Sequence, residues 1–158
     1  MVDRTQKVDP DHVVRLQKAI AQVIRAFLVA GRAGQPAEGR LRFNPLYFHM
    51  LNLIHDQGAL RPSDLASVLG VARSTISTAA EALVREGLLH KERDPNDGRA
   101  IQLVLTSDGK DTAQAIRRQD QKNAAVLLSA VSAQERELLL PLIEQAAASI
   151  AQIDTPTP

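Results

Sequence analysis

Arg73, Ser74, Thr75, Ser77 and Thr78 bring one guanidinium and four short hydroxyls into six consecutive positions. Farther along the chain, Arg99 follows Asp97 and Gly98, with Lys91 and Arg93 just upstream. These groups form hydrogen bonds and ion pairs; none is an obvious nucleophile with a base beside it. A guanidinium can take a guanine edge or a phosphate. Short Ser and Thr side chains let a backbone come close, bond to phosphates or bases and touch thymine methyls. An Arg at the tip of a β-ribbon is drawn into the negative potential of a minor groove. Asp97 can pair with a nearby Arg to hold such a tip, and Lys91 and Arg93 can meet phosphates on the way. A solvated helix face and a solvated turn would use the same residue types.

Other chemistries find little support. The chain has no Cys, so disulfides, thiolate metal sites and thiol redox switching are absent. His12, His49, His55 and His90 form no i, i+4 pair, which makes a zinc site a poor fit. Asp94-Pro95-Asn96-Asp97-Gly98 superficially suggests a calcium loop. Its Gly comes one place early, and its twelfth position is Leu105 rather than Glu. There is no phosphate-binding Gly-Lys loop, dinucleotide fingerprint or nucleophile elbow, so neither an enzyme nor a cofactor is expected. Aromatics at 3% are too few for a single-strand binder built on stacking. One further cluster stands out: Phe43, Tyr47, Phe48 and His49, with His55 farther along the same segment. Such a wall suits an aromatic anion, and serves equally as ordinary packing.

The elements that must position these residues follow from periodicity. The 158 residues make about one domain. Val13, Leu16, Ile20, Val23 and Phe27 form a heptad-like seam on a first helix over 8–30. Two heptads leave open whether it faces its own core or a second subunit. Gly31, Gly34, Pro36 and Gly39 predict a loop over 31–42. Asn44-Pro45 opens a second helix, ending at Gly58, with Leu46, Met50, Leu51, Leu53 and Ile54 inward. A third helix runs from Pro62 to Leu69 and a fourth from Arg73 to Glu86, joined by a turn containing Gly70, the helix-turn-helix pattern. Ile76, Ala80, Leu83 and Val84 give the fourth helix its buried stripe and leave the hydroxyl-bearing face outward. The period then changes to two. Leu88–Arg93 and Ile101–Leu105 predict one β-hairpin around the turn cluster 94–98. Thr106 or Ser107 caps a fifth helix. Ser132-Ala133-Gln134-Glu135 fits a capping box for a sixth, with Pro141 expected to kink it. Its Leu138, Leu139, Leu142, Ile143, Ala146 and Ile150 form a broad apolar face.

The run from Gly87 to Gly109 resembles the signature of the MarR family of transcriptional regulators: a Gly87-Leu88 exit, an Asp97-x-Arg99 wing tip and a Leu103-x-Leu105-Thr106-x-x-Gly109 return. Upstream, Leu65-Ala66, Leu69-Gly70-Val71 and Ser74-Thr75-Ile76-Ser77 are similar to that family's helix-turn-helix. The resemblance is continuous over 44–109; the flanking helices agree in position and length only.

The resemblance implies a mainly α fold of six helices with one β-hairpin: a winged helix-turn-helix DNA-binding lobe over 44–109 and a helical dimerisation lobe from 8–30 and 110–153. It implies a homodimer reading a pseudo-palindromic operator in double-stranded DNA, usually as a repressor, often relieved by a small aromatic or anionic effector between the lobes. By position, Arg99 becomes the minor-groove residue and Asp97 its loop partner, while Ser74, Ser77 and Thr78 lie on the groove-facing helix. Two positions depart from the pattern. Ala72 stands where a capping Ser, Asp or Thr is common, and Thr78 where a longer basic residue is frequent. The alternative reading is a winged-helix module that binds protein instead of DNA.

Net charge is +1, and residues 60–110 hold seven basic and seven acidic groups. Anion binding must therefore come from local patches rather than the whole lobe. Arg32, Arg40 and Arg42 near the predicted loop add positive field. No apolar signal segment or ~18-residue membrane span is present, so a cytoplasmic location is expected.

Overall fold

The computed structural model describes residues 8–34 and 44–151. The chain divides into two units, Met1–Gly39 and Arg40–Pro158. The first holds α1 (Pro10–Gly34). Asp9 opens it: its carboxylate accepts the Asp11 N–H at 2.9 Å, with Pro10 at the first helical position. The helix continues through Gly34, so the predicted loop begins later than Gly31. A helical Gly costs only about 1 kcal/mol against Ala, and the good helix formers Arg32 and Ala33 lie between the two glycines. Arg40, Arg42 and Phe43 lie outside the described residues. Along α1, Val13, Leu16 and Ile20 are exposed.

The second unit contains α2 (Pro45–Gln57), α3 (Pro62–Leu69), α4 (Arg73–Arg85), β1 (Leu89–Asp94), β2 (Asp97–Leu105), α5 (Ser107–Ser129) and α6 (Ala133–Ala151). Its first helix starts as the sequence predicts, with Asn44 Oδ1 accepting the Leu46 N–H at 3.0 Å. The turn between α3 and α4 passes through Gly70 at φ 63°, a left-handed conformation that suits glycine. Buried side chains from α2 (Met50, Leu51, Ile54), α3 (Leu65, Ala66), α4 (Ile76, Ala79, Ala80, Leu83) and the hairpin (Leu89, Leu103, Leu105) make one core. Leu88, just before β1, and Ala113, on α5, complete it. Ala79 joins the stripe of α4 because it follows Ile76 by one helical turn and has no bulk to keep it out.

The hairpin is antiparallel, pairing Leu89 with Leu105, Lys91 with Leu103 and Arg93 with Ile101. A register shift after Arg93 brings Asp94 opposite Asp97, so the strands reach farther than the predicted turn at 94–98 and only Pro95 and Asn96 lie between them. Residues 58–61 join α2 to α3. Leu60 exchanges both backbone hydrogen bonds with Leu103, at 3.2 and 2.8 Å, and adds a one-residue third strand at the base of the hairpin.

The return into α5 explains the spacing of Thr106 and Gly109. The Thr106 hydroxyl accepts the Gly109 N–H at 3.0 Å and donates to the Gly87 carbonyl at 2.7 Å. Gly109 packs so close to the Leu88 carbonyl that a Cβ there would overlap it. The capping box of α6 forms: Ser132 N–H donates to Glu135 at 2.7 Å and Glu135 N–H to the Ser132 hydroxyl at 3.3 Å. The Ser132 N–H, helped by the Ser132 hydroxyl, holds the Glu135 carboxyl below its ordinary value. Arg136 then donates to the Leu128 and Val131 carbonyls, at 2.7 and 3.1 Å, satisfying groups that the end of α5 leaves open. The apolar face of α6 is uncovered: Leu138 is 69% and Leu142 64% exposed.

Candidate nucleic-acid interface

Burial of Ile76, Ala79, Ala80 and Leu83 turns the opposite face of α4 outward. Arg73, Ser74, Thr75, Ser77, Thr78, Glu81 and Arg85 are all exposed on it. Ala72 precedes the helix in an extended conformation and makes no side-chain cap, as its residue type dictates. The hydroxyls divide into two sets. Ser77 donates to the Arg73 carbonyl at 3.0 Å and Thr78 to the Ser74 carbonyl at 3.1 Å. Those protons are committed to the helix, leaving lone pairs and the Thr78 methyl outward. Ser74 and Thr75 have no such bond among the described residues, so here they are the hydroxyls with a proton to give.

The wing projects outward. Residues 95–99 are exposed, with Arg99 among them. Lys91 and Arg93 are exposed too, on the strand face they share with Leu89. Among the described residues, Arg73, Lys91, Arg93 and Arg99 form no ion pair. Glu92, which sits between two of these cations, is engaged by His90 at 2.6 Å.

One residue at the wing was missed by the sequence reading. Arg61, just before α3, donates from Nε to Asp94 Oδ2 at 2.6 Å, across 33 residues. Its second nitrogen lies 3.9 Å from Asp97 Oδ2. Asp97 thus does have an arginine partner, but a distant one in sequence, while its Oδ1 accepts the Arg99 N–H at 3.1 Å. The Asp94 side chain is 3% exposed. The Arg61 hydrogen bond, helped by Gln102 and the Asn96 N–H, pulls its carboxyl down to about 2. The Arg61 guanidinium is raised in turn, mainly by Asp94. The only advance signal was an arginine and an aspartate flanking segments that the helix-turn-helix brings together.

The aromatic and histidine cluster does not form one wall. Tyr47 faces α4: with Asn44, Leu46, Thr75, Thr78 and Ala79 it lines an open cavity of about 320 Å³. His49 and His55 face α5 instead. The Arg117 guanidinium lies 3.0 Å from His55 Nδ1 and 2.6 Å from Asp56. Partial burial raises the Asp120 carboxyl, against the pull of His49. Between the two histidines, the buried Asn52 Oδ1 has no hydrogen-bond partner among the described residues. Phe48 is half-buried. A helix with 3.6 residues per turn sends neighbours such as 47 and 49 to different sides, which is why a cluster in sequence separates in space.

Comparison with known proteins agrees with this architecture. The MarR family model matches residues 43–101, from the start of α2 to the return strand of the wing. A protein of Thauera aromatica assigned as the transcriptional regulatory protein for the hcr operon is 32% identical over 126 residues, covering 77% of this chain and 72% of that one. FabT of Streptococcus pneumoniae, solved in complex with DNA, superposes with a TM-score of 0.77 at 16% identity, over 92% of this chain and 99% of its own; at that identity it speaks for the fold. The PcaV transcriptional regulator of Streptomyces coelicolor, solved with its natural ligand, is 27% identical with a TM-score of 0.60, over 95% of this chain and 99% of its own. An exposed hydroxyl-bearing helix, an arginine-tipped wing and a relative matching along both chains lead to one assignment: this chain belongs to the MarR family of winged helix-turn-helix transcriptional regulators.

Proposed function

We propose that the protein binds a pseudo-palindromic operator in double-stranded DNA as a homodimer, represses transcription in the cytoplasm, and lets go when a small anionic or aromatic ligand binds. The observation that carries the DNA reading is the set of unpaired cations, Arg73, Lys91, Arg93 and Arg99, exposed on one winged lobe whose total charge is balanced. Arg61 pairs with Asp94 and lies near Asp97, which offsets part of the negative charge beside these cations. The N-terminal half of α4 meets base edges in the major groove, while Arg99 enters the adjacent minor groove. Residues 44–109 serve as the DNA-binding lobe. Residues 8–30 and 110–153 supply the dimer contacts, a role supported by the uncovered apolar stripes of α1 and α6.

For the effector, support comes from the seam of α2 and α5, where His55 meets Arg117 and the Asn52 Oδ1 is buried without a partner among the described residues. A carboxylate there would compete with Asp56 for the Arg117 guanidinium, beside the His55 imidazole, and the relative PcaV was solved with a natural ligand. Tyr47 stands apart from this seam. No helix among the described residues is long and apolar enough to cross a membrane.

Titrating the protein against the region upstream of its own gene over a range of salt concentrations tests the reading. Specific binding should fall by about 0.9 log units per phosphate contact for each tenfold rise in salt. Binding no tighter than to a scrambled duplex, at any salt concentration, would refute it.

A further inference from the structure

Resting on the DNA-binding reading above, we infer that Arg61 is a positioning residue for the wing: it locks the tip to the helix pair that carries α4, and so sets the angle at which Arg99 meets DNA. A two-stranded ribbon is marginally stable and free to twist on its own. This one is tied down at two levels. At its base, Leu60 pairs with Leu103, which stands opposite Lys91. Asp94 lies three residues farther out along β1, about 10 Å at the usual rise per residue. There the next residue in the chain, Arg61, takes over with a 2.6 Å bond to Asp94 and a second nitrogen near Asp97. The backbone of Arg61 opens α3, but its side chain faces the wing.

The links continue to the DNA-facing residue. Asp94 also accepts the Asn96 N–H at 2.8 Å, which shapes the turn, and Asp97 accepts the Arg99 N–H. Arg61 therefore touches both carboxylates that set the backbone from 94 to 99. Its planar fork can serve two acceptors from one fixed position, which a lysine ammonium reproduces in charge but not in shape. Two consequences follow for binding. The wing is pre-organised, so less freedom is lost when the duplex docks. The one positive charge of Arg61 also offsets half the negative charge of two carboxylates at a tip that approaches phosphates.

A double-mutant cycle on operator affinity tests this role, using wild type, Arg61→Ala, Arg99→Ala and the double variant, with thermal melts of each. Arg61→Ala should weaken binding about tenfold, and the double variant should bind no worse than Arg99→Ala alone, because coupled residues are non-additive. Arg61→Lys should recover part of the loss by restoring charge near the carboxylates. Asp94→Asn removes the other partner and should reproduce the loss in a chain that keeps Arg61. Losses that multiply in the double variant, or unchanged affinity in Arg61→Ala and Asp94→Asn, overturn the proposal. Wild-type protein that ignores its upstream region overturns the regulator reading instead.

Discussion

The winged lobe and the final helix spend their apolar residues in opposite ways. From Met50 to Ala113, leucines, isoleucines and alanines converge on a single core, and Met50, Leu51, Leu65, Ile76, Leu83 and Leu103 are fully buried. From Ala133 onward, a helix at least as rich in leucine leaves Leu138, Leu142, Ile143 and Ile150 half or more exposed. Hydrophobicity alone does not decide burial. What differs is whether the same chain supplies an opposing face. Around α4 three other elements of its unit do, whereas the stripe of α6 stays uncovered among the described residues. A large exposed apolar patch of this kind marks an interaction site.

Breaking the closed region should cost the most. Gly109→Ala drives a methyl group into the Leu88 carbonyl, so the wing and α5 must move apart. A loss of roughly 1–3 kcal/mol in urea denaturation is expected, in the range of overpacked or strained buried sites. Little loss would mean that this junction yields easily and that the lobe is less closed than described.

The open region should answer differently. Replacing Leu138 and Leu142 together by Glu should leave the unfolding of the winged lobe nearly unchanged and shift sedimentation from dimer to monomer. Surface positions on a monomer change stability by about 0.5 kcal/mol or less. A dimer that persists would place the subunit contact elsewhere.

On the outward face of the lobe, Ser77→Glu should abolish operator binding by putting a carboxylate where phosphates and base edges approach. Retained affinity would show that α4 does not read DNA. Arg99→Ala should weaken binding by about 1–3 kcal/mol without lowering the melting temperature. A lowered melting temperature with unchanged affinity would make Arg99 a structural residue.

The smallest effect should appear only in acid. The folded-state pKa of Asp94, about 2, lies below its ordinary value of 3.8, so the ionised form is favoured by folding. Its contribution is complete above the ordinary value and drains as pH falls toward the folded one. Stability measured by denaturant at pH 5 and at pH 2.5 should therefore converge between wild type and Asp94→Asn at the lower value. A constant difference at both would remove the ion pair as the cause.

Local signals read well because they act through neighbours in the chain. Asn44-Pro45, Gly70 and the Ser132–Glu135 box each do their work within a few residues, and each lies where the spacing placed it. The Thr106–Gly109 motif was legible as a pattern, although its physical basis, the close approach to Leu88, needed the fold. Arg61 and Leu60 were not legible, because their partners are 33 and 43 residues away. The candidate pocket residues divide for a related reason. Residues close in sequence need not share one surface, because α2 packs different sides against different helices. His55 meets Arg117, Tyr47 lines a cavity with Thr75 and Thr78, and Phe43 lies outside the described residues.

Periodicity and capping chemistry were enough to establish six helices, one hairpin and the outward face of α4, since those depend on spacing within a turn or a strand. Which hydroxyls keep a free proton, which arginine braces the wing and which histidine finds a guanidinium were decided by packing. Such pairings depend on angles between elements, and those angles emerge only when the whole core closes.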